Sequence, residues 1–126
     1  MNENAVADRI ILEAARRGNY LWRNNSGALF DDRGRLVRYG LGSFTDKDVL
    51  ASSDYIGPTP VIITPEMVGR VIGVFTAVET KAEGWVFNKN DKKELKQKNF
   101  IDIVNRAGGF AGFAQSIEDY KRIITI

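Results

Sequence analysis

The chain contains no cysteine and no histidine among its 126 residues. Their absence excludes a thiol nucleophile, a disulfide framework, zinc sites of the usual kind and a Ser-His-Asp triad. Long apolar runs are also missing, because no segment reaches the ~18 apolar residues that a membrane span needs. Any catalysis must therefore use carboxylates, lysines or hydroxyl groups.

Size and charge set further limits. With 126 residues and 44% hydrophobic content, the chain can bury one ordinary core, so we expect a single domain over residues 1–126. The formal net charge of +2 is too small for a polycationic tail, and it permits a nucleic-acid partner without requiring one. The polar start "MNENAVADR" does not resemble a signal peptide, so we expect a cytoplasmic protein with no membrane contact.

The first half of the chain predicts one helix followed by short strands. Apolar residues four apart predict a helix over Asn4–Arg17, which Gly18 ends. Two or three short strands follow, one over Tyr20–Arg23 and a pair that flanks the turn at 32–34, and antiparallel pairing is the simplest arrangement there. Residues 41–53 predict a loop with one helical turn over Asp46–Leu50.

The second half alternates strands and helices. The segments "DYIG", "VIIT" and Val71–Thr80 predict two or three central strands, and a long helix follows over Asp91–Ala107. The segment "FAGFA" predicts a further strand, and Ser116 predicts the N-cap of a last helix. We therefore expect an α/β fold with a mixed sheet flanked by helices, in which the long helix is a crossover between neighbouring strands.

Three polar features interrupt this apolar pattern. Asp54 opens a strand, Glu79 and Lys81 lie two residues apart at the end of another, and Gln97 lies on the next helix. Taken singly, a strand-end acid is usually solvated and a strand-end lysine usually discourages edge pairing. Taken together, they place adjacent charges on one face of a strand, beside a strand that begins with an acid.

This set of residues suits the hydrolysis of a phosphodiester. The reaction needs a positioned water, neutralised phosphate charge and stabilisation of the leaving oxygen. Mg²⁺ prefers oxygen ligands and keeps several waters, so Asp54, Glu79 and the Thr80 carbonyl are candidate ligands, with Mn²⁺ as a substitute. Lys81 would lie over the attacking water or the scissile phosphate, where its positive charge stabilises hydroxide and the developing phosphorane.

The order of these motifs resembles the PD-(D/E)xK nuclease superfamily, and more narrowly its VRR-NUC family. The likeness rests on "WRNNSGA", "RYG", "SSDYIG", "GRVIGVFTAVETK", Gln97 and the "AGG" that ends the helix, and it covers nearly the whole chain. The resemblance implies a restriction-endonuclease-like core. Serine at position 53 replaces the proline in the superfamily's name, which is common in this family.

The resemblance also implies roles for single residues. Asp54, Glu79 and Lys81 correspond to the metal-binding and water-activating residues, and Gln97 matches the glutamine of the next helix. The family's helix glutamate corresponds to Glu3, with Glu13 as the competing position. Glu13 also suits an ordinary role as an exposed acid that pairs with Arg17.

Basic residues lie close to the candidate site. The segment 89–98 has excess positive charge, which suggests contacts with DNA phosphates. A solvated helix face is the ordinary interpretation of such lysines. A polar-aromatic patch that begins at Trp22 is a second candidate for contact with the DNA backbone. Trp22 suits a core position equally well. The candidate DNA-binding residues are Lys89, Lys92, Lys93, Lys96 and Arg23.

No recognition helix rich in Asn, Gln and Arg is apparent, so base-specific reading is not expected. Single-domain members of the family resemble Holliday-junction resolvases, which implies branched DNA as the substrate. It also implies a homodimer, because resolution takes two symmetric nicks. If a phage encodes the protein, the expected location is the cytoplasm of the host. Other hypotheses are a flap-type nuclease, a sequence-specific restriction-type nuclease, and a catalytically silent DNA-binding or assembly module. The intact Asp54, Glu79 and Lys81 argue against the silent module.

Overall fold

The computed structural model describes residues 2–25, 27–40 and 53–125. The chain divides into two compact units, Met1–Gly57 and Pro58–Ile126, and each is described by itself. The single nuclease domain expected over 1–126 stays a prediction. The helical turn expected over Asp46–Leu50, with the rest of 41–52, lies outside the described residues.

The first unit begins with helix α1, Glu3–Arg16. Asn2 is its N-cap, and the Asn2 side chain accepts a hydrogen bond of 2.9 Å from the Ala5 N–H. Such a cap satisfies one of the N–H groups that have no partner at the start of a helix. The predicted helix is confirmed, with both ends one residue earlier than expected.

Strands β2, Gly27–Phe30, and β3, Leu36–Tyr39, form an antiparallel hairpin in which Leu29 faces Val37. Asp31 organises the turn between them, because its carboxylate accepts hydrogen bonds of 2.9 and 2.8 Å from the N–H groups of Arg33 and Arg35. Short acidic side chains often build turns in this way. The predicted antiparallel pair is confirmed.

Strands β1, Trp22–Arg23, and β4, Tyr55–Ile56, pair antiparallel across a long separation in sequence. Gly57 allows its segment to approach the segment of Tyr20 closely, since a Cβ at position 57 would lie 2.1 Å from the Tyr20 carbonyl oxygen. No side chain fits that space. The pairing brings the backbone of residues 22–24 beside that of residues 54–56.

The second unit has fewer strand residues than the sequence predicts. Strand β5 covers Thr76–Thr80 alone, "VIIT" forms no strand within the described residues, and Pro65–Met67 is a short 3₁₀ helix. The prediction of strands over "VIIT" and 71–75 is therefore wrong for this structure. The prolines at 58, 60 and 65 lack the N–H that a strand ladder uses, and the apolar side chains here stay exposed, with Ile62 at 88%.

The second unit also contains a parallel strand–helix–strand arrangement. Strand β5, helix α2 (Lys92–Arg106) and strand β6 (Phe110–Ala114) follow one another, and β5 pairs parallel with β6 so that Glu79 faces Phe113. This confirms the predicted crossover helix. Val104 of α2 is fully buried.

Helix α3, Ile117–Ile123, follows β6. The Ser116 hydroxyl accepts from the Asp119 N–H at 3.1 Å, which confirms the predicted cap. The Asp119 carboxylate accepts from the Gln115 N–H at 2.8 Å, one residue before the position that a capping box would use.

The described residues therefore form a mixed α/β structure with three helices and three two-stranded sheets, two antiparallel and one parallel. Among the described residues the strands pair only two by two, so the single mixed sheet expected from the sequence is not observed there. None of the described helices has the length and apolar character needed to cross a membrane.

Candidate functional site

Three predicted residues meet at the end of β5. The Lys81 ammonium donates a hydrogen bond of 2.9 Å to Gln97 Oε1, and Gln97 Nε2 donates one of 3.0 Å to Glu79 Oε1. All three side chains are half-buried. We refer to these residues as the Lys81–Gln97–Glu79 array. Strand β5 supplies the two charged groups and α2 supplies the amide that joins them.

The orientation of the Gln97 amide follows from its partners. A lysine ammonium only donates hydrogen bonds and an ionised carboxylate only accepts them. The amide oxygen must therefore face Lys81, and the amide nitrogen must face Glu79. Gln97 separates the two charges, so that they do not form a direct ion pair and each keeps hydrogen-bonding capacity for another group.

Two aromatic rings lie against the Lys81 ammonium. The ammonium nitrogen is 5.3 Å from the centroid of the Trp85 ring and 5.8 Å from that of Phe113. Both distances fall within the ~6 Å reach of a cation–π contact. Phe113 reaches this place because the parallel register puts it opposite Glu79 on the same face of the sheet.

Two acidic side chains at the start of α2 have different partners, and one of them, Asp91, feels the charge of Lys81. Asp91 is the N-cap of α2, and hydrogen bonds from the N–H groups of Glu94 and Lys93, together with the positive charge of Lys81, lower the pKa of its carboxyl group. Glu94 accepts hydrogen bonds from the Trp85 indole N–H at 3.0 Å and from the Asn88 N–H at 3.1 Å. The segment after β5 is therefore tied to the first turn of α2.

A pocket of about 510 Å³ opens beside the array. Its volume falls within the range typical of ligand sites. Glu79 and Gln97 lie at this pocket, and Lys93 and Lys96 contribute cationic side chains to its wall. The remaining lining residues are apolar: Ala77, Val78, Phe100 and Ile101.

The four lysines predicted to bind DNA are all exposed: Lys89, Lys92, Lys93 and Lys96. Two of them, Lys93 and Lys96, line the pocket. Lys98, which belongs to the same cluster in the sequence, instead pairs with Asp102 one turn along α2. The pocket side of α2 therefore carries positive charge next to the array.

In the first unit, Asp54 is exposed at the start of β4. The Asp54 carbonyl accepts a hydrogen bond of 2.8 Å from the Asn24 N–H, and the Asn24 side chain donates one of 2.8 Å to the Ser53 carbonyl. These bonds hold the backbone that carries Asp54. Its role as a metal ligand stays a prediction.

Arg23 is exposed on β1. Its guanidinium carbon lies 5.5 Å from the centroid of the Tyr55 ring, and its Nε donates to the Asn25 side chain at 3.3 Å. Trp22 beside it stacks on Tyr20, with ring centroids 5.8 Å apart. The predicted DNA contact of Arg23 stays a prediction.

The two candidate helix glutamates have different surroundings. Glu3 is exposed in the first turn of α1. Glu13 accepts hydrogen bonds from Arg16 and forms an ion pair with Arg17 at 3.5 Å, and these contacts, led by the Arg16 hydrogen bond, lower its pKa. The ordinary pairing of Glu13 with Arg17 is confirmed.

The donor set at the end of β5 suits a hydrated Mg²⁺. Glu79 offers acceptor sites on both carboxylate oxygens, of which the bond from Gln97 uses one site on Oε1. Thr80 is the exposed last residue of β5, and its carbonyl stays a predicted ligand. Within residues 2–25, 27–40 and 53–125, no three acidic side chains are grouped for a metal ion. Mg²⁺ commonly takes one or two carboxylates, with waters and substrate phosphates completing its shell.

The sequence interpretation missed the aromatic contacts and Asp91. Trp85 follows Lys81 by four residues in an irregular segment, where no periodicity predicts which way its ring points. Phe113 is distant in sequence, and only the parallel register of β5 with β6 brings it to Lys81. The sequence predicts Asp91 at the start of the helix, but no local pattern indicates its nearness to Lys81.

No family model, no curated protein and no solved structure matches this chain.

Proposed function

We propose that this protein is a metal-dependent DNA endonuclease of the PD-(D/E)xK superfamily. We further propose that it has a restriction-endonuclease-like core and belongs to the VRR-NUC family. Branched DNA, above all a four-way junction, is its proposed substrate. The observation that carries the proposal is the Lys81–Gln97–Glu79 array at the end of β5, beside a pocket with two lysines in its wall. The array joins a carboxylate that can hold a metal ion to an amine that can stabilise phosphate charge, and both suit phosphodiester hydrolysis.

Lys81 supplies positive charge for the reaction. An ammonium group has three donors, and Gln97 takes one of them. The others can reach an attacking water or a phosphate oxygen, where fixed charge stabilises the pentavalent transition state. Gln97 accepts one N–H of the ammonium and bridges it to Glu79, so that the two charged groups form no direct ion pair.

Glu79, the Thr80 carbonyl and Asp54 would hold Mg²⁺, and Mn²⁺ would substitute because it accepts the same oxygen ligands. When bound, this ion polarises the phosphate and lowers the pKa of a coordinated water. Glu79 contributes a carboxylate whose direction is set by the bond from Gln97. Asp54 and Glu3 enter the proposal by their correspondence with the family motif.

The exposed lysines of 89–96 would bind the sugar-phosphate backbone. Contacts of this kind position DNA without reading its bases, so the proposal is selectivity for structure rather than for sequence. Two symmetric nicks in one junction need two sites. A twofold homodimer would supply them.

The decisive experiment is a cleavage panel with the purified protein. Linear duplex, flap and four-way junction are each incubated with Mg²⁺, Mn²⁺, Ca²⁺ or EDTA. We expect nicking of branched DNA with Mg²⁺ and Mn²⁺, and binding without cleavage in Ca²⁺. Glu79→Gln, which keeps the size and loses the charge, is the matched control that assigns any activity to this site.

Equal cutting in EDTA would contradict the metal role, and equal cutting by Glu79→Gln would place the activity elsewhere. Junction binding without cleavage under every ion would favour the silent DNA-binding module. Flap cleavage with an intact junction would favour the flap-type nuclease. Light scattering of the free and junction-bound protein tests the homodimer.

A further inference from the structure

The Lys81 ammonium has a second set of neighbours, which the resemblance to the VRR-NUC family does not predict. The rings of Trp85 and Phe113 lie 5.3 and 5.8 Å from its nitrogen, and their own centroids are 4.6 Å apart. Both residues are half-buried. The ammonium therefore has an amide oxygen as one neighbour and a pair of aromatic rings as another.

Trp85 is held in place by polar bonds at both its ring and its backbone. Its indole N–H donates to Glu94 Oε1 at 3.0 Å, and its carbonyl accepts from Gln115 Nε2 at 2.9 Å. Gln115 Oε1 also accepts from the Gly84 N–H at 2.8 Å. These bonds attach the irregular segment after β5 to α2 and to the end of β6, so the ring has a defined position.

Phe113 is held by the sheet. It lies on β6 directly opposite Glu79, so its ring shares a face with the array. Phe87 packs against both rings, with centroid distances of 6.4 Å to Trp85 and 6.0 Å to Phe113. Within the described residues, the cation–π contacts of Lys81 are with Trp85 and Phe113.

We infer that Trp85 and Phe113 are positioning residues that hold the Lys81 ammonium in one direction for catalysis. This inference rests on the proposed nuclease function. Lysine has a flexible four-carbon stem, and a single hydrogen bond to Gln97 does not fix the direction of its remaining donors. Aromatic rings attract the cation through their faces without taking its N–H groups as a carboxylate would.

The consequence is a lysine that is ordered but still able to donate. A carboxylate in the place of the rings would form an ion pair and compete with a phosphate oxygen for the same N–H groups. The rings order the ammonium and leave those N–H groups for the substrate. Loss of a ring should therefore reduce the rate of the chemical step more than substrate affinity.

The kinetic test uses Trp85→Leu, Trp85→Phe and Phe113→Leu on a branched substrate. We expect Trp85→Leu to lower kcat about tenfold with KM almost unchanged, as the loss of a partly desolvated cation–π contact predicts. Trp85→Phe retains an aromatic face and should recover most of the rate. Phe87→Leu is the matched control, because it removes a ring of the same cluster that is not over the ammonium.

The structural test does not depend on activity. Protein with ¹³C-labelled lysine gives ε-CH₂ signals, and Lys81→Arg identifies the signal of Lys81. A methylene group over aromatic rings is shifted upfield by ring currents, so we expect the Lys81 signal to lie upfield of the other lysines. The shift should shrink in both Trp85→Leu and Phe113→Leu and persist in Phe87→Leu, with folding checked by the remaining signals.

The outcomes separate this inference from the proposed function. An active wild-type protein without the upfield shift, or with an unchanged kcat in Trp85→Leu, overturns the positioning role. An inactive wild-type protein that has the shift supports the aromatic contact and overturns the nuclease assignment. An equal loss of rate in Phe87→Leu would indicate general packing and would also overturn the positioning role.

Discussion

The two units hold their predicted site residues by different means. In the second unit, side chains bond to side chains, since the Lys81–Gln97–Glu79 array is joined by bonds of 2.9 and 3.0 Å. In the first unit, the segment that carries Asp54 is held through its backbone carbonyl, and the Asp54 side chain is exposed. Strand pairing places a backbone, whereas a partner for the side chain is needed to set its direction.

The two units also differ in what lowers the pKa of a carboxyl group: a side chain in the first unit and a backbone N–H in the second. The pKa of Glu13 in the first unit is lowered chiefly by the side chain of Arg16, within an exposed helix face. The pKa of Asp91 in the second unit is lowered chiefly by a backbone N–H, at the start of the helix that carries Gln97. Exposed side-chain pairs depend on salt, whereas a cap bonded to backbone depends on the helix itself.

The largest expected effect comes from removing one proposed catalytic group in each unit. We expect Lys81→Ala and Asp54→Asn each to lower nicking of a four-way junction by about 100-fold or more, because Lys81 would supply positive charge to the reacting phosphate and Asp54 would help to hold the Mg²⁺. Single-turnover kinetics measure the effect, and DNA affinity in Ca²⁺ should change little.

Lys121→Ala and Asp32→Asn are matched controls, since each changes an exposed charge of the same unit. A normal rate for Asp54→Asn would break the comparison, because only the second unit would then contribute to catalysis. A normal rate for Lys81→Ala would show that the array is not catalytic.

An intermediate effect is expected on the salt dependence of DNA binding. The double variant Lys93→Ala and Lys96→Ala should weaken binding to all sequences alike and reduce the slope of log K against log salt by roughly 2, because each phosphate contact contributes about 0.9. Arg23→Ala tests the first unit and should reduce the slope by about 1 if its guanidinium leaves Tyr55 for a phosphate. Fluorescence anisotropy over a salt series gives both slopes.

Lys121→Ala serves again as the control and should leave the slope unchanged. A loss of affinity confined to one DNA sequence would argue against phosphate contact. An unaltered slope for the double variant would show that DNA does not pass along this side of α2.

The smallest expected effect concerns stability at acid pH. The pKa of Asp91 is lowered from 3.8, so its charged form is favoured in the folded state and its contribution is complete above that value. The contribution is lost as the pH falls below 3.8 and passes through the lower folded pKa. Thermal melting should therefore show a smaller pH dependence for Asp91→Asn than for the wild type in this interval, because asparagine caps a helix without titrating.

Glu13→Gln gives the matching measurement in the first unit. Its carboxyl pKa is lowered from 4.5, so the sign is the same. Added salt should reduce the contribution of Glu13, whose partners are exposed arginine side chains, and should affect that of Asp91 less. Equal sensitivity to salt would remove the distinction between the two kinds of contact.

Local signals in the sequence predicted much of the fold. The helix over 92–106 begins one residue after its predicted start at Asp91, which is the N-cap, and the last helix begins after the predicted N-cap Ser116. The hairpin around 31–35 likewise follows from a short acidic turn. These features depend on neighbours within a few residues, so the sequence contains nearly all the information that they require.

The strand predictions for "VIIT" and 71–75 failed for a different reason. Apolar β-branched residues suit a strand, but a strand also needs a partner for its backbone, and strand propensity depends on that context. Val71, for example, is 98% exposed in the structure. Composition could not reveal whether a partner strand would be present.

For the site, the sequence by itself determined the chemistry: an acid, an amine and an amide at set positions, and no histidine or cysteine to compete with them. It also determined that Glu79 and Lys81 point the same way, because side chains alternate along a strand. Only the tertiary structure decided that Gln97 bridges them and that Trp85 and Phe113 lie against the ammonium. Those contacts depend on how α2 and β6 pack beside β5. Local sequence patterns do not predict how segments that are distant in sequence pack together.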